Sequence, residues 1–292
     1  MTLPAGCVVL FHPTREVLDN IQACLPGLDR LYAVDNSPPG PDSDAPDSLP
    51  HLLQALPKVV YLRAGANLGT AGAMNMAARM AIEDGYTHLL TLDQDSKARP
   101  GMVPRLLEVL AELTGQGMNR IGVISARQVT RDDPRPVVKR PWQEETTIMT
   151  SGNLVDLAAW KEVGPFDEGL FIDCVDHEFC LRLRLAGYLV VRVNDAFLEH
   201  ELGEITAHRQ FGRVKYTTNH SPLRRYYIFR NRLWMMRRYR EAFPDYCRSS
   251  RKELFKEVRN VLCFESDKGA KLAMMARGAW DFLRGRMGRY EP

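Results

Sequence analysis

Five short apolar runs, Cys7-Phe11, Arg30-Val34, Val59-Leu62, His88-Leu92 and Ile121-Ser125, punctuate the first half of the chain. Between them, Glu16-Ala23, Gly72-Asp84 and Met102-Leu113 carry apolar residues at helical intervals, and Gly85 and Gly115 stand at the ends of the last two as stop signals. Short strands alternating with helices restrict the chain to a βαβ layout, an α/β sheet wrapped by crossover helices. At 292 residues and 45% hydrophobic, the chain buries one substantial core with a smaller appendage.

Two stretches interrupt this pattern. Ser37-Pro50 is dense in Pro, Asp, Ser and Gly and reads as an exposed loop, while Arg131-Gln143 carries three prolines and many charges. Beyond Ser221-Pro222 the periodicity is helical only, in Leu223-Tyr239, Ser249-Phe264 and Lys268-Arg286. The expected organisation is a domain over residues 1–221 and a basic, amphipathic helical extension over 222–292. Charge divides with it: from Ala207 onward 21 Lys and Arg face 8 Asp and Glu, a balance of +13, against −10 for residues 1–206.

The six cysteines fall on apolar stretches and none stands in Cys-x-x-Cys spacing, so they read as buried thiols in a reducing compartment. No segment reaches the roughly 20 apolar residues of a spanning helix, and Gly6-Phe11 is too short for a signal peptide. The expected location is cytoplasmic.

Chemistry concentrates where apolar runs end. Thr91-Leu92-Asp93-Gln94-Asp95-Ser96 sets two carboxylates at the C-terminal end of a strand, where open α/β sheets bind ligands, and oxygen ligands suit Mg²⁺ or Mn²⁺ carrying a diphosphate. Val34-Asp35-Asn36-Ser37 ends a second run in groups suited to a base or ribose; the alternative is a turn in which Asp35 and Asn36 bond their own backbone. Asn67-Leu68-Gly69-Thr70-Ala71-Gly72 opens a helix whose N-terminus suits a phosphate or sugar, or serves as a plain connector. Asp173-Cys174-Val175-Asp176-His177-Glu178 opens another helix, running to Ala186 and stopping at Gly187. Its acids either cap the helix or present a general base to a cleft. His200 follows the apolar run Ala196-Leu198 and offers an imidazole nitrogen to a metal.

In this order and spacing the motifs resemble the family 2 glycosyltransferases, with particular likeness to bacterial rhamnosyltransferases of cell-surface polysaccharide synthesis. The likeness covers about residues 5–240 and rests on His12-Pro13, Val34-Asp35-Asn36, Asn67-Leu68-Gly69 with Asn75, Asp93-Gln94-Asp95, Ser151-Gly152-Asn153, and Phe171-Ile172-Asp173 through Arg182. The resemblance implies a GT-A type nucleotide-diphospho-sugar transferase fold, a Rossmann-like mixed sheet flanked by helices. It also implies a metal-dependent, inverting hexosyl transfer.

By the same resemblance, Asp176 is the catalytic base, Asp35 contacts the base of the nucleotide and Asp93 the ribose. His12, Asn36, Asn67, Gly69, Asn75, Gln94 and Arg224 join them on the donor side, while Gly152, Asn153, Trp160 and Asp173 form the acceptor side. Asp95 and His200 bind the divalent cation, Mg²⁺ or Mn²⁺. Many relatives read Glu-Asp-x-Asp where this chain has Val175-Asp176-His177-Glu178, so Asp173 or Glu178 takes the place of the missing acid. The implied donor is dTDP-L-rhamnose and the acceptor a glycan or glycolipid, as in a lipid-linked polysaccharide. Arg224-Arg225 to Arg230-Asn231 matches a basic segment near the donor phosphates.

Trp234, Met235, Met236, Trp280 and Phe282 among the basic residues of the tail suggest peripheral contact with the inner face of the cell membrane. Packing on the catalytic domain, or on a second copy of the chain as a homodimer, is the alternative. A sugar-nucleotide nucleotidyltransferase would carry a basic glycine-rich loop where this chain has Phe11-His12-Pro13-Thr14. A nucleic-acid binder would explain the basic tail but not acids at strand ends, so no nucleic-acid partner is expected.

Overall fold

The computed structural model describes residues 3–38, 45, 47–130, 138–200, 206–210, 213–217 and 219–292. Parts of the Ser37-Pro50 and Arg131-Gln143 loops lie outside the described residues. The chain divides into two compact units, residues 1–171 with 175–201 and residues 172–174 with 202–292.

In the first unit β1 (Ala5–Leu10), β2 (Arg30–Asp35), β3 (Val59–Arg63) and β4 (His88–Asp93) follow the first four apolar runs. The helices between them are α1 (Glu16–Cys24), α2 (Leu49–Ala55) and α3 (Gly69–Glu83). Then come β5 (Ser96–Ala98), α4 (Met102–Gly115), β6 (Ile121–Val129), β7 (Trp142–Glu144), β8 (Asn153–Asp156), α5 (Leu157–Val163), α6 (Val175–Leu185) and β9 (Leu189–His200). These strands form one mixed sheet in the order β3-β2-β1-β4-β8-β6-β9-β5, with β7 also paired to β9.

β1 is parallel to both neighbours, β2 and β4, so the chain leaves β1 on one side and returns on the other. That reversal is a topological switch point, where open α/β sheets leave a crevice beyond the strand ends. The register brings the ends together: Leu10 pairs with Asp35, and Val9 with Asp93. β8 runs antiparallel between β4 and β6, carrying residues 151–153 to the same neighbourhood.

Burial on both faces explains the near-continuous apolar strands. Val8, Leu10, Leu31, Ala33, Leu90 and Leu92 pack with residues of α1 and α4 in one core. In α4 the buried positions Met102, Val103, Leu106, Val109, Leu110 and Leu113 follow the helical interval that the sequence carries. Residues of opposite parity, Cys7, Tyr32, Val34 and Leu89, are equally buried. α3 packs on β1, β2 and β4, and its buried Ala71, Ala73, Ala77, Ala78 and Ala81 allow close approach to the sheet.

α6 is anchored by charge. Glu178 is 1% exposed and accepts from Arg182 Nε and Nη2 one turn later, and Arg182 also donates to the carbonyls of Val163, Gly164 and Pro165. Expected as a partner of the catalytic base, Glu178 is instead a structural counter-ion with its carboxylate turned to arginine. Glu178→Ala leaves that arginine without its carboxylate and is predicted to cost about 3 kcal/mol. A urea titration checks it, and an unchanged midpoint refutes the role.

The second unit holds a hairpin of β10 (Thr206–Gln210) and β11 (Arg213–Thr217), which sequence periodicity had not indicated. Three helices follow, α7 (Pro222–Tyr239), α8 (Pro244–Phe264) and α9 (Lys268–Leu283). Ser221 caps α7 by accepting from the Arg224 amide, with Pro222 at the first helical position. Gly278 lets α9 meet α7, since a Cβ there would stand 2.5 Å from the Tyr226 carbonyl oxygen.

Resemblance set the segment from Arg224-Arg225 to Arg230-Asn231 near the donor phosphates, whereas Arg225 and Arg230 are buried, each 1% exposed. Arg225 is buried and paired with Glu257 and Glu265; Arg230 lies over the Tyr226 and Tyr227 rings and donates to the Gly288 carbonyl. Glu257, Glu265 and Gly288 lie far along the chain, where a local reading of charge does not reach. Of the suggested apolar anchors, Met235 is fully buried, whereas Trp280 is 52% exposed. Among the described residues, no helix is long and apolar enough to cross a membrane.

The cysteine reading also needs correction, because Cys263 is exposed and Cys174 and Cys247 are half-buried. Cys263 sits on the outward face of α8 beside exposed Leu262, so its apolar neighbours did not imply burial. Cys7, Cys24 and Cys180 are buried as expected, and burial pushes the Cys7 thiol up to about 12.

Candidate active site and metal centre

β4 ends at Asp93, and the chain turns through Gln94 and Asp95 into β5. β5 pairs with the last residues of β9, in the register Ser96 to His200. That pairing returns a histidine from a hundred residues away to the two acids. One ligand atom from each of Asp93, Asp95 and His200 lies within 4.8 Å of the others, and His200 Nδ1 is 3.4 Å from Asp95 Oδ1. Two carboxylates and an imidazole form a mixed oxygen and nitrogen set that fits a divalent cation such as Mn²⁺. Asp93, assigned to the ribose by resemblance, thus stands among the candidate ligands as well.

Hydroxyls hold this cluster in place. Ser151 Oγ accepts from the Asp93 amide at 3.0 Å and donates to Ser96 Oγ at 2.8 Å, and Ser96 Oγ lies 2.8 Å from His200 Nδ1. Ser96 thus bonds the candidate ligand His200, a contact that motif reading did not single out although the residue stands in the motif. Outer partners of metal ligands typically govern 10–100-fold in affinity. With Mn²⁺ as the cation of this cluster, Ser96→Ala is therefore predicted to weaken its binding by about 10-fold. Calorimetry checks this, and unchanged affinity removes Ser96 from the site.

The donor-side candidates gather at the ends of β1 and β2. Asp35 accepts from the Ser37 amide and the Tyr61 hydroxyl. His12 has a positive φ of 47°, its amide donates to Ser37 Oγ, and its ring packs edge-on against Phe11. Asn36 donates to the Gly69 carbonyl and accepts from the Leu68 amide, while Asn67 Oδ1 accepts from the Gly69 amide. Gly69 has φ +72°, and a Cβ there would stand 2.3 Å from the Phe171 carbonyl oxygen. Gln94 clamps Phe11, accepting from its amide and donating to its carbonyl. These residues build the rim of the crevice by bonding one another.

Asn75 stands apart. It is fully buried, and its amide group bonds the Phe166 backbone and Glu168, which accounts for the residue without a donor.

Asp176 lies in the first turn of α6, and its Oδ1 accepts from the His177 amide at 2.8 Å. It lines a small cavity together with Thr91, Thr150, Asn153, Phe166 and Cys180. Thr91 is two residues before Asp93 on β4, about 7 Å along the strand and on the same face. Asn153 Oδ1 is buried with no hydrogen-bond partner among the described residues. Burial pushes the Cys180 thiol up to about 12, so this wall of the cavity stays neutral.

Other acceptor-side candidates have structural explanations. Gly152 has φ +88°, and a Cβ would meet Leu198 at 3.1 Å and Ala126 at 3.4 Å. Close approach by neighbouring protein atoms, rather than by a sugar, therefore accounts for this glycine. Trp160 is 7% exposed and lines neither this cavity nor the one beside β6. Asp173 does not cap α6: it sits at φ +65° and takes a two-pronged bond from Arg224. That ion pair engages both of these candidates within the second unit.

Residues 41–157 match the description Glycosyl transferase family 2. Over 204 residues the chain is 29% identical to the dTDP-rhamnosyl transferase RfbF of Shigella flexneri, covering 64% of this chain and 66% of that one. An uncharacterized protein of Mycobacterium bovis is 29% identical over 162 residues, covering 52% of this chain and 60% of its own. These alignments span less than two thirds of the relatives' lengths. Among solved structures, GalNAc-T7 with UDP, GalNAc and Mn²⁺ superposes with a TM-score of 0.61 at 13% identity, over 98% of this chain and 58% of that one. TarS residues 1–349 of S. aureus gives 0.60 at 12%, over 98% and 81%. The fold is therefore of the GT-A type with C-terminal helices.

Proposed function

We propose that this chain, a member of glycosyl transferase family 2, moves a sugar from a nucleoside-diphosphate donor onto an acceptor hydroxyl with inversion at the anomeric carbon. The observation that carries the reading is the meeting of Asp93, Asp95 and His200 at the switch point of the sheet. Carboxylates there repel a diphosphate unless a cation intervenes: two unit charges 4 Å apart interact by about 4 kcal/mol at an effective dielectric near 20. A divalent cation bound to the three side chains would neutralise the leaving nucleoside diphosphate.

Asp176 receives the proton of the acceptor hydroxyl as its oxygen attacks, and the cavity shared with Asn153 orients that hydroxyl. The unpartnered Asn153 Oδ1 supports this, because a buried acceptor without a donor gains from a bound hydroxyl. Asp35 and His12 flank the nucleotide. The relative named for dTDP-rhamnose transfer makes dTDP-L-rhamnose the first donor to test, with a glycan or lipid-linked glycan as acceptor. Exposed Phe255, Leu262, Trp280 and Leu283 among basic residues support peripheral contact of α8 and α9 with an anionic membrane.

The deciding experiment offers a panel of nucleotide sugars with Mg²⁺ or Mn²⁺ and reads nucleoside diphosphate release and the anomeric configuration of the product. Release from none of the donors, or a retained configuration, refutes the reading.

A further inference from the structure

A cavity of about 670 Å³ opens beside β6, and its walls carry Arg127, Lys139, Arg140 and Arg192. Among the described residues no carboxylate lines it. Arg192 is compensated by Glu145 at 2.9 Å. Arg127, Lys139 and Arg140 have no carboxylate partner among the described residues, so three positive charges face one concave surface. Solvated surface cations are common, but residues 1–206 carry a net charge of −10, and here the sign is reversed in a concavity. A cleft of one sign between low-dielectric walls concentrates counter-ions.

The cavity adjoins the chemistry through the backbone. Thr147, Ile148 and Met149 line it, and the next residue, Thr150, lines the cavity of Asp176. Gln128, also on its wall, donates to the Ser151 carbonyl at 3.1 Å, and the Ala126 amide donates to the Gly152 carbonyl at 3.0 Å. The two cavities are therefore neighbours along the backbone, one lined by Met149 and the other by Thr150.

We propose that this cavity is an acceptor subsite that binds an oxyanion group of the acceptor, with a diphosphate as the chemical class. It rests on the transferase reading, since only an acceptor has cause to lie beside Asp176 away from the metal cluster. Three cations without a carboxylate partner among the described residues match the charge of a diphosphate better than that of a single carboxylate, and the arginines offer paired donors to phosphate oxygens.

The test titrates inorganic pyrophosphate, and separately glucuronate, into the full chain treated with EDTA, by calorimetry at two salt concentrations. Without the cation, Asp93 and Asp95 repel pyrophosphate from the metal cluster. Pyrophosphate is expected to bind, more weakly at higher salt, and at least 10-fold more weakly in the double variant Arg127→Gln, Arg140→Gln, with melting temperature verifying its fold. Absence of binding, equal binding by the variant, or tighter binding of glucuronate each overturns the diphosphate assignment. Binding of a nucleoside diphosphate with Mn²⁺ is measured in parallel on the unaltered chain. Its failure alone would sink the transferase reading and leave the oxyanion site standing.

Discussion

Asp95→Ala is expected to weaken Mn²⁺-dependent binding of a nucleoside diphosphate by at least about 100-fold, since even outer partners of metal ligands account for 10–100-fold. Asp95 is half exposed, at 50% for its side chain. The change should therefore leave the melting temperature of the metal-free chain near its original value. The cluster has a second expected signature: without metal, removing one acid lessens repulsion of the diphosphate, so residual metal-free binding rises or stays level. Calorimetry with and without Mn²⁺ separates the two effects. A variant that binds the nucleotide as tightly as the unaltered chain in Mn²⁺ shows that the cluster holds no cation.

The strength of that prediction depends on an element that local sequence did not expose. β1 to β4 and β6 follow their apolar runs closely, and α1, α3 and α4 follow their periodicity to within a turn. Strands buried on both faces are written in uninterrupted apolar residues, and amphipathic helices in their interval. β5, β7 and β8 are three or four residues long, held by pairing across the sheet rather than by their own composition. β9 mixes Arg192, Asn194, Asp195 and Glu199 into its length, so alternation is diluted just where it delivers His200. Resemblance implied a metal role for His200, and the Ser96 to His200 register is what brings its ring to the two acids.

The charged helices illustrate the opposite limit. Resemblance set Arg225 in a phosphate-facing segment, yet Glu265, forty residues on, neutralises it inside the second unit. Glu178 is similar at shorter range, because only the fold shows its carboxylate turned to Arg182. Local periodicity fixes which face of a helix is apolar, whereas the identity of a charge's partner is a tertiary fact.

That distinction bears on the base. With Glu178 engaged by Arg182 and Asp173 by Arg224, Asp176 is the acid of its cluster that lines the cavity with Asn153. Asp176→Asn preserves shape and keeps an oxygen to accept from the His177 amide, so folding should be little changed. What it removes is the capacity to take a proton from the attacking hydroxyl, an effect worth about 10² to 10⁴ in rate. Turnover in the presence of acceptor should fall by that factor while the affinity for nucleoside diphosphate and Mn²⁺ stays level, because neither the metal cluster nor the nucleotide rim uses this carboxylate. Asp173→Asn and Glu178→Gln serve as the contrast: each breaks an ion pair, so each should lower the unfolding midpoint as well as the rate. If Asp176→Asn turns over at the full rate, another group accepts the proton; if it loses nucleotide affinity as steeply as turnover, Asp176 acts in donor binding.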